Sequence, residues 1–295
     1  MKSWVAGLTK QKFYRGKYSQ SYQDALLSYI FDNVPPQNSQ PYCVEFGFDG
    51  STFHDGGGSN VAKLVLEKGW KCLLLDGGHA NPEIDLHQHF LTPDNIVQIF
   101  RKYDVPTTPE YISIDVDSLD FWLFRSLLTT YRPMVYSVEY NAHFPLWAAI
   151  TVANDPSFTW QGDRLYGASL KALTMLANQN GYSLLWVVPK VDAFFIRNDL
   201  VDDESKHLVP QFAKWSNATN IRVHPRVKNE KRLSCLVGWE ITPDGSEQLV
   251  ERSEEVINLG RRFLSGFGDT QTAVNYIFGL PSKLKLRLGK LLNNQ

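Results

Sequence analysis

The stretch Val44-Glu45-Phe46-Gly47-Phe48-Asp49-Gly50 decides the fold of this chain of 295 residues. A mainly apolar run from Tyr42 to Phe46 precedes its two glycines, which is typical of a buried strand that ends in a tight turn. In doubly wound α/β sheets, the loop after such a strand lies where ligands bind. Glycines in this loop allow a close backbone approach, because they lack a Cβ atom. The stretch therefore predicts the first strand of an α/β sheet and part of a binding site.

Beyond this stretch, apolar runs alternate with segments of helical periodicity up to about residue 200. Strand runs that are apolar on both faces indicate a mostly parallel sheet, covered by helices on both sides. We expect Thr92 to cap one helix and Ser169 to begin another. The predicted strands are residues 42–46, 72–75, 111–116, 134–139, 184–188 and 193–196, and the predicted helices lie near 61–68, 92–100, 121–128 and 169–176.

The chain as a whole divides into three predicted regions. They are an N-terminal helical cap over residues 1–40, a ligand-binding domain over 41–200 and a C-terminal extension over 201–295. The basic and apolar end at 281–292 is expected to form a packed or frayed helix; alternatively, it contacts an anionic membrane or a partner. Thirty Lys and Arg nearly balance 31 Asp and Glu, so the overall charge indicates no nucleic-acid partner.

The absence of targeting signals sets the expected location of the protein. No secretory signal and no apolar stretch long enough to cross a bilayer is visible, and the three scattered cysteines indicate no disulfide framework. We therefore expect a cytoplasmic protein without a transmembrane segment, and we leave open a homo-oligomer.

Charge at the first strand points to the class of ligand. The pattern Glu45-x-Gly47-x-x-Gly50 differs from the dinucleotide pattern G-x-G-x-x-G, because an acidic residue takes the first position. A carboxylate there would repel a pyrophosphate but suits the ammonium and sulfonium groups of S-adenosylmethionine. Asp76 ends the second strand, where nucleotide-binding folds place an acid on the ribose. It could equally be a turn residue before Gly77.

Several motifs in order resemble the FkbM-type methyltransferases over roughly residues 40–200. They are the stretch 44–50, Ser59-Asn60, the run 67–70, the run 91–96, the run 113–117, the run 138–141, Gly167-Ala168-Ser169, Gly181-Tyr182 and the run 192–195. The resemblance implies a Rossmann-like methyltransferase fold, with seven mostly parallel strands and a C-terminal extension. It also implies S-adenosylmethionine-dependent methylation of a hydroxyl on a sugar or another small molecule. The chain departs from the family at Asp55-Gly56-Gly57-Gly58 and at Asp117-Ser118.

The same resemblance implies a set of cofactor-binding residues. Glu45 and Gly47 would line the methionine part, Asp76 would hold the ribose, and Asp94 or Asn95 would lie near the adenine edge. Asp115 would face the reacting end of the cofactor. The full set is Glu45, Gly47, Asp49, Gly50, Asn60, Asp76, Asp94, Asn95 and Asp115.

Acidic residues at two neighbouring strand ends predict catalytic and metal-binding roles. Asp115 and Asp117 point to one side of a strand, Glu139 ends another, and Asn141 follows it. Oxygen ligands of this kind suit Mg²⁺, which could lower the pKa of a substrate hydroxyl. Alternatively, these acids bind substrate or cap helices without metal. The predicted catalytic residues are Asp115, Glu139 and, as general base, His143.

The long aromatic segment 147–169 is the predicted acceptor-binding region. Its aromatic faces and hydrogen-bonding groups suit a sugar or another hydroxylated ring, and the candidate residues are Trp160, Asp163, Arg164 and Tyr166. The alternative is a loop that only packs over the core. Two other functions also stay open: an NAD-dependent oxidoreductase or epimerase, and a Rossmann-like binding protein without catalysis.

Overall fold

A seven-stranded sheet forms the centre of the protein. The computed structural model describes residues 4–48, 50–54, 58–201, 219, 224–241, 247–250 and 254–265. The strands are β1 (Tyr42–Phe46), β2 (Lys71–Asp76), β3 (Leu86–Gln88), β4 (Tyr111–Ile114), β5 (Val135–Glu139), β6 (Ile150–Val152), β7 (Tyr182–Val187), β8 (Asp192–Arg197), β9 (Leu236–Ile241) and β10 (Glu247–Val250). The central sheet has the order β3-β2-β1-β4-β5-β8-β7.

Helices cover both faces of this sheet. They are α1 (Trp4–Leu8), α2 (Gln23–Asn33), α3 (Ala62–Lys68), α4 (Ile96–Lys102), α5 (Asp120–Leu128), α6 (Leu170–Gln179) and α7 (Glu254–Gly260). Successive strand residues face opposite sides, so Cys43 packs with α2 and α3, whereas Val44 packs with α4 and α5. The predicted Rossmann-like α/β fold, with a mostly parallel seven-stranded sheet, is confirmed.

The direction of β8 matters for the site. Strands β1 to β5 are parallel, but β8 runs antiparallel to both β5 and β7. The amino end of β8 therefore lies at the carboxyl end of β5, where Asp192 pairs with Glu139.

The local signals at helix starts are partly confirmed. The Ser169 hydroxyl accepts a hydrogen bond from the Ala172 N–H and begins α6, as predicted. Helix α4 starts later than predicted, at Ile96. Thr92 lies one turn before this start, where its N–H donates to the Asn95 Oδ1 and its carbonyl accepts from the Ile96 N–H. A side-chain cap of α4 is not found among the described residues.

A second sheet, of order β10-β9-β6, joins the predicted extension to the segment 147–169. Strand β6 lies in that segment, which was predicted as a loop, and it pairs antiparallel with β9. Leu236 and Leu259 join the larger apolar core. The sheet thus connects the two sides of the predicted boundary at residue 200, while the tail at 281–292 lies outside the described residues. Among the described helices, none has the length and apolarity to cross a bilayer.

Candidate active site

A cavity of about 480 Å³ opens at the carboxyl edge of the central sheet. It spans the point where the strand order reverses between β1 and β4, the usual ligand position in doubly wound sheets. Its volume falls within the range of small-molecule sites, roughly 300–1,000 Å³. Six of the described carboxylates line it: Glu45, Asp76, Asp115, Asp117, Glu139 and Asp192.

Glu45 lies in the wall between β1 and α3. Its Oε1 accepts from the Asn60 N–H at 2.7 Å, and its Oε2 accepts from the Ser59 hydroxyl at 2.6 Å. Burial raises the pKa of Glu45 to about 7, although these hydrogen bonds oppose the shift. Glu45 therefore ties the first turn of α3 to β1 at the edge of the cavity.

Gly47 is required by the protein's own backbone. It has a left-handed φ of 77°, and a Cβ atom at this position would overlap the carbonyl oxygen of Asp115. Its N–H also donates to the Leu75 carbonyl at 3.1 Å. The glycine therefore allows β1 to meet its two neighbours at the cavity. Gly50 is buried, and Asp49 lies outside the described residues.

Asp76 is a turn residue, which was one of its two predicted roles, while its contact with a ribose stays a prediction. Its Oδ1 accepts from the N–H groups of Gly78 and His79, at 2.7 and 2.8 Å, and contacts the His79 ring at 2.9 Å. It therefore holds the turn after β2. The same side chain also lines the cavity.

The predicted adenine-edge residues do not reach the cavity. Asp94 is exposed, and the Asn95 side chain is used in a turn, where it accepts from the Thr92 N–H and donates to the Phe90 carbonyl. The cavity is lined here by the residues directly after β3, namely His89, Phe90 and Leu91. Sequence analysis missed them because β3 is only three residues long.

Asp115, Asp117 and Glu139 come together as predicted, but the first two do not lie on a strand, because β4 ends at Ile114 and Asp117 has a left-handed φ of 55°. Each offers a carboxylate oxygen, and these oxygens lie within 4.8 Å of one another. Burial, and next the neighbouring carboxylates, raise the pKa values of Asp115 and Glu139 well above their ordinary range. The Oε2 atom of Glu139 is buried and accepts no hydrogen bond from the part of the chain that the structure describes. Three mutually repelling acids with an unsatisfied oxygen could hold a cation.

Asn141 does not belong to this cluster. Its amide nitrogen donates to the carbonyls of Arg164 and Tyr166, at 2.8 and 2.9 Å, and its Oδ1 accepts from the His143 N–H at 3.0 Å. Because this side chain already holds the surrounding loop together, its predicted role as a metal ligand is not supported by the geometry.

His143 is placed as a structural residue. Its Nδ1 lies 3.1 Å from the Asn141 Oδ1, and its Nε2 accepts from the His224 N–H at 3.3 Å. Burial, followed by the charges of Arg164 and His224, lowers the pKa of His143 to about 3. A neutral ring with its lone pair engaged is poorly suited to remove a substrate proton, so the geometry does not support the predicted general base.

One of the four predicted acceptor residues lines the cavity. Trp160 does so together with Phe158 and His224. Asp163 instead forms an ion pair with Arg232.

The remaining two of these residues hold the chain around His224. The Arg164 guanidinium donates to the His224 carbonyl at 2.9 Å, and the Tyr166 ring packs edge-on against the His224 ring with centroids 5.5 Å apart. His224 itself was missed, because nothing in the sequence connects it with the aromatic segment.

Comparison with known proteins adds little to the site. No protein-family model matches the chain, and no curated protein matches it. Among solved structures, the CMeT domain of the citrinin polyketide synthase is similar with a TM-score of 0.31 and 8% sequence identity, over 59% of this chain and 51% of that chain. The match thus spans about half of that structure and is too weak to indicate a function. The FkbM resemblance stays a prediction.

Proposed function

We propose that this protein is an S-adenosylmethionine-dependent O-methyltransferase acting on a hydroxyl group of a small molecule, with sugars as the first class to test. The observation that carries the proposal is the set of six carboxylates around one cavity at the strand-order reversal. Buried acids of like charge raise one another's pKa values and favour a cationic ligand. S-adenosylmethionine carries an ammonium and a sulfonium group.

The same charge pattern disfavours the NAD-dependent alternative. A pyrophosphate near the end of β1 would face Glu45 and Asp115. The space beside Gly47, where a phosphate could otherwise approach the backbone, is already filled by the Asp115 carbonyl oxygen. Dinucleotide sites place glycines and a helix amino end at this point. The cavity wall here is acidic instead.

The residues around the cavity suggest its two ends. Asp76 and the run 89–91 line the side near β2 and β3, where a nucleoside would bind. Phe158, Trp160 and His224 line the side near β5, where an aromatic wall suits the face of a sugar ring. The cofactor supplies an electrophilic methyl group. Holding the acceptor hydroxyl in line with that methyl would provide much of the acceleration.

Asp115, Asp117 and Glu139 would hold Mg²⁺ between these two ends. Carboxylates are the ligands that Mg²⁺ prefers, and the unsatisfied Glu139 Oε2 is the type of atom that a cation would complete. When bound, the metal would lower the pKa of a coordinated hydroxyl.

Calorimetric titration tests the cofactor. The full chain is titrated with S-adenosylhomocysteine, S-adenosylmethionine and NAD. We expect the first two to bind and NAD not to bind. Methyl transfer to a panel of sugars and phenols is then followed by the release of S-adenosylhomocysteine. Binding of NAD without S-adenosylhomocysteine would overturn the proposal.

A second titration tests the metal. Mg²⁺ is added to the wild-type protein and to the Glu139→Gln variant, with Asp94→Asn as a matched control, because Asp94 is exposed and outside the cavity wall. We expect binding to the wild type and to the control but not to Glu139→Gln. Equal heats in all three proteins would exclude this site.

A further inference from the structure

Asp192 is a buried carboxylate in the cavity wall with an unsatisfied oxygen. It is the first residue of β8, is 1% exposed and lines the cavity. Its Oδ2 accepts from the Gln23 and Asn60 side-chain amides, both at 3.2 Å. Its Oδ1 accepts no hydrogen bond within the described part of the chain. A buried acceptor without a hydrogen bond destabilises the fold, and more so when it is charged, so this oxygen is a candidate to bind a ligand.

Asn60 places Asp192 next to the end of β1. Its backbone N–H donates to the Glu45 carboxylate and its side chain donates to Asp192, so one residue connects both acids. Gln23 contributes from α2, and Gln20 lines the cavity just before that helix. Three separated chain segments therefore build this subsite, and the two amide donors fix the orientation of the carboxylate.

The contacts of Asp192 narrow the class of ligand. Two amide N–H groups already occupy Oδ2, so a guanidinium could not make its two parallel hydrogen bonds here. The neighbouring N–H donors would also oppose a metal ion. A primary ammonium group is compact and carries three donors, so one of them can reach a single oxygen. Within the described residues, no lysine or arginine forms an ion pair with Asp192.

We infer that the Oδ1 atom of Asp192 accepts a hydrogen bond from the α-ammonium group in the methionine part of S-adenosylmethionine. This inference rests on the proposed function, and it adds a residue that the cofactor-binding set lacked. Gln23 and Asn60 act as positioning residues, because they hold the carboxylate in place.

The test compares two nucleosides that differ in the amino-acid part. S-adenosylhomocysteine carries the α-ammonium group, whereas 5′-methylthioadenosine has no amino-acid part. Dissociation constants for both are measured with the wild type, with Asp192→Asn and with the control Glu83→Gln, because Glu83 is exposed and outside the cavity wall. We expect Asp192→Asn to weaken S-adenosylhomocysteine roughly tenfold or more and to leave 5′-methylthioadenosine unchanged. Equal effects on both nucleosides, or no effect on either, would overturn the inference.

A measurement on the wild type alone avoids dependence on the folding of the variant. Deaminated S-adenosylhomocysteine, in which hydrogen replaces the ammonium group, should bind the wild type more weakly than the parent compound by a similar factor. Equal affinities would overturn the inference and leave the proposed function standing. If the wild type bound none of these nucleosides, the proposed function itself would fall.

Discussion

Glu139, the last residue of β5, pairs across the sheet with Asp192, the first residue of β8. Directly paired residues of antiparallel strands lie on the same face, so the reversal of β8 brings a second carboxylate to the place where β5 ends. A parallel strand would have brought its carboxyl end there. The acidity of the cavity is thus a product of strand direction as well as of composition.

Removing one acid of the cluster should stabilise the protein without ligands. Glu139→Gln would replace a buried carboxylate, which its neighbours repel, by a neutral amide. We expect the melting temperature to rise, at roughly 2–4 °C per kcal/mol gained, while the proposed methyl transfer is lost. Asp94→Asn should change neither property. A lower melting temperature for Glu139→Gln would show that the carboxylate is already satisfied, against the geometry described above.

Substitution of Gly47 should be far more damaging than substitution of another left-handed glycine. Gly47→Ala would drive a methyl group into the Asp115 carbonyl, whereas Gly69 has a similar φ of 68° and no heavy atom near its Cβ position. We expect Gly69→Ala to cost about 1–2 kcal/mol and Gly47→Ala to cost several times more. Urea denaturation measures both, and equal costs would mean that φ alone explains the glycine.

Variants of Asp76 and Asp94 test which of these two residues contacts the nucleoside of the proposed cofactor. Asp76→Ala should weaken S-adenosylhomocysteine by roughly tenfold or more, because this carboxylate lines the cavity and shapes the turn after β2. Asp94→Ala should bind it as the wild type does. Calorimetry of both variants decides. Loss of affinity in Asp94→Ala alone would restore the adenine-edge role that the sequence suggested.

The protein without ligands should become more stable as the pH falls from 8 to 6. Burial raises the pKa values of Glu45 and Asp120 to about 7, so the folded state binds protons more tightly than the unfolded chain. Their contribution is fully present below the unfolded pKa near 4 and is lost as the pH rises through 7. Each contributes about 1.4 kcal/mol per pH unit at most within this window.

Three histidines oppose this trend at lower pH. Burial lowers the pKa values of His89, His143 and His224, so the unfolded state gains protons first below about pH 6.5, which destabilises the fold there. Between pH 8 and 6 the buried carboxyls outweigh these histidines, so the melting temperature should rise. Glu45→Gln should show a smaller rise over the same range. A flat profile in the wild type would contradict the pKa values given above.

The sequence predicted the sheet well because its strands are buried on both faces. The runs ending at Phe46, Asp76 and Glu139 are almost entirely apolar, and their ends lie at the cavity. The same reasoning explains why Asp115 and Asp117 lie at the cavity, since residues just beyond strand ends meet at one edge. Signals of this kind are local, so a single sequence suffices to find them.

The contacts that the sequence did not predict join residues that are far apart along the chain. Asp192 lies at the amino end of β8. The general rule for doubly wound sheets places ligand-binding residues at the carboxyl ends of strands, so it does not predict Asp192. His224 arrives from beyond residue 200 through hydrogen bonds to Arg164. Conversely, the sequence suggested catalytic and metal-binding roles for His143 and Asn141. In the structure, these two side chains form hydrogen bonds with each other and with the backbone of nearby loops. The burial of these side chains and their hydrogen-bond partners determine which of them face the cavity, and both become visible only in the tertiary structure.

The three-stranded sheet is built from the chain regions that also supply the aromatic part of the cavity wall, whose sequence could vary more than that of the acidic part. It pairs residues 150–152 with residues 236–238, in the two regions of the chain that also carry Trp160 and His224, while the other side of the cavity is lined by Asp76 and residues 89–91. Under the proposed function, homologues could therefore diverge in their acceptors through exchange of the aromatic wall alone. Selection on the acidic half would meanwhile remain stricter, since Glu45 also holds the start of α3 against β1 and Asp76 also holds the turn after β2.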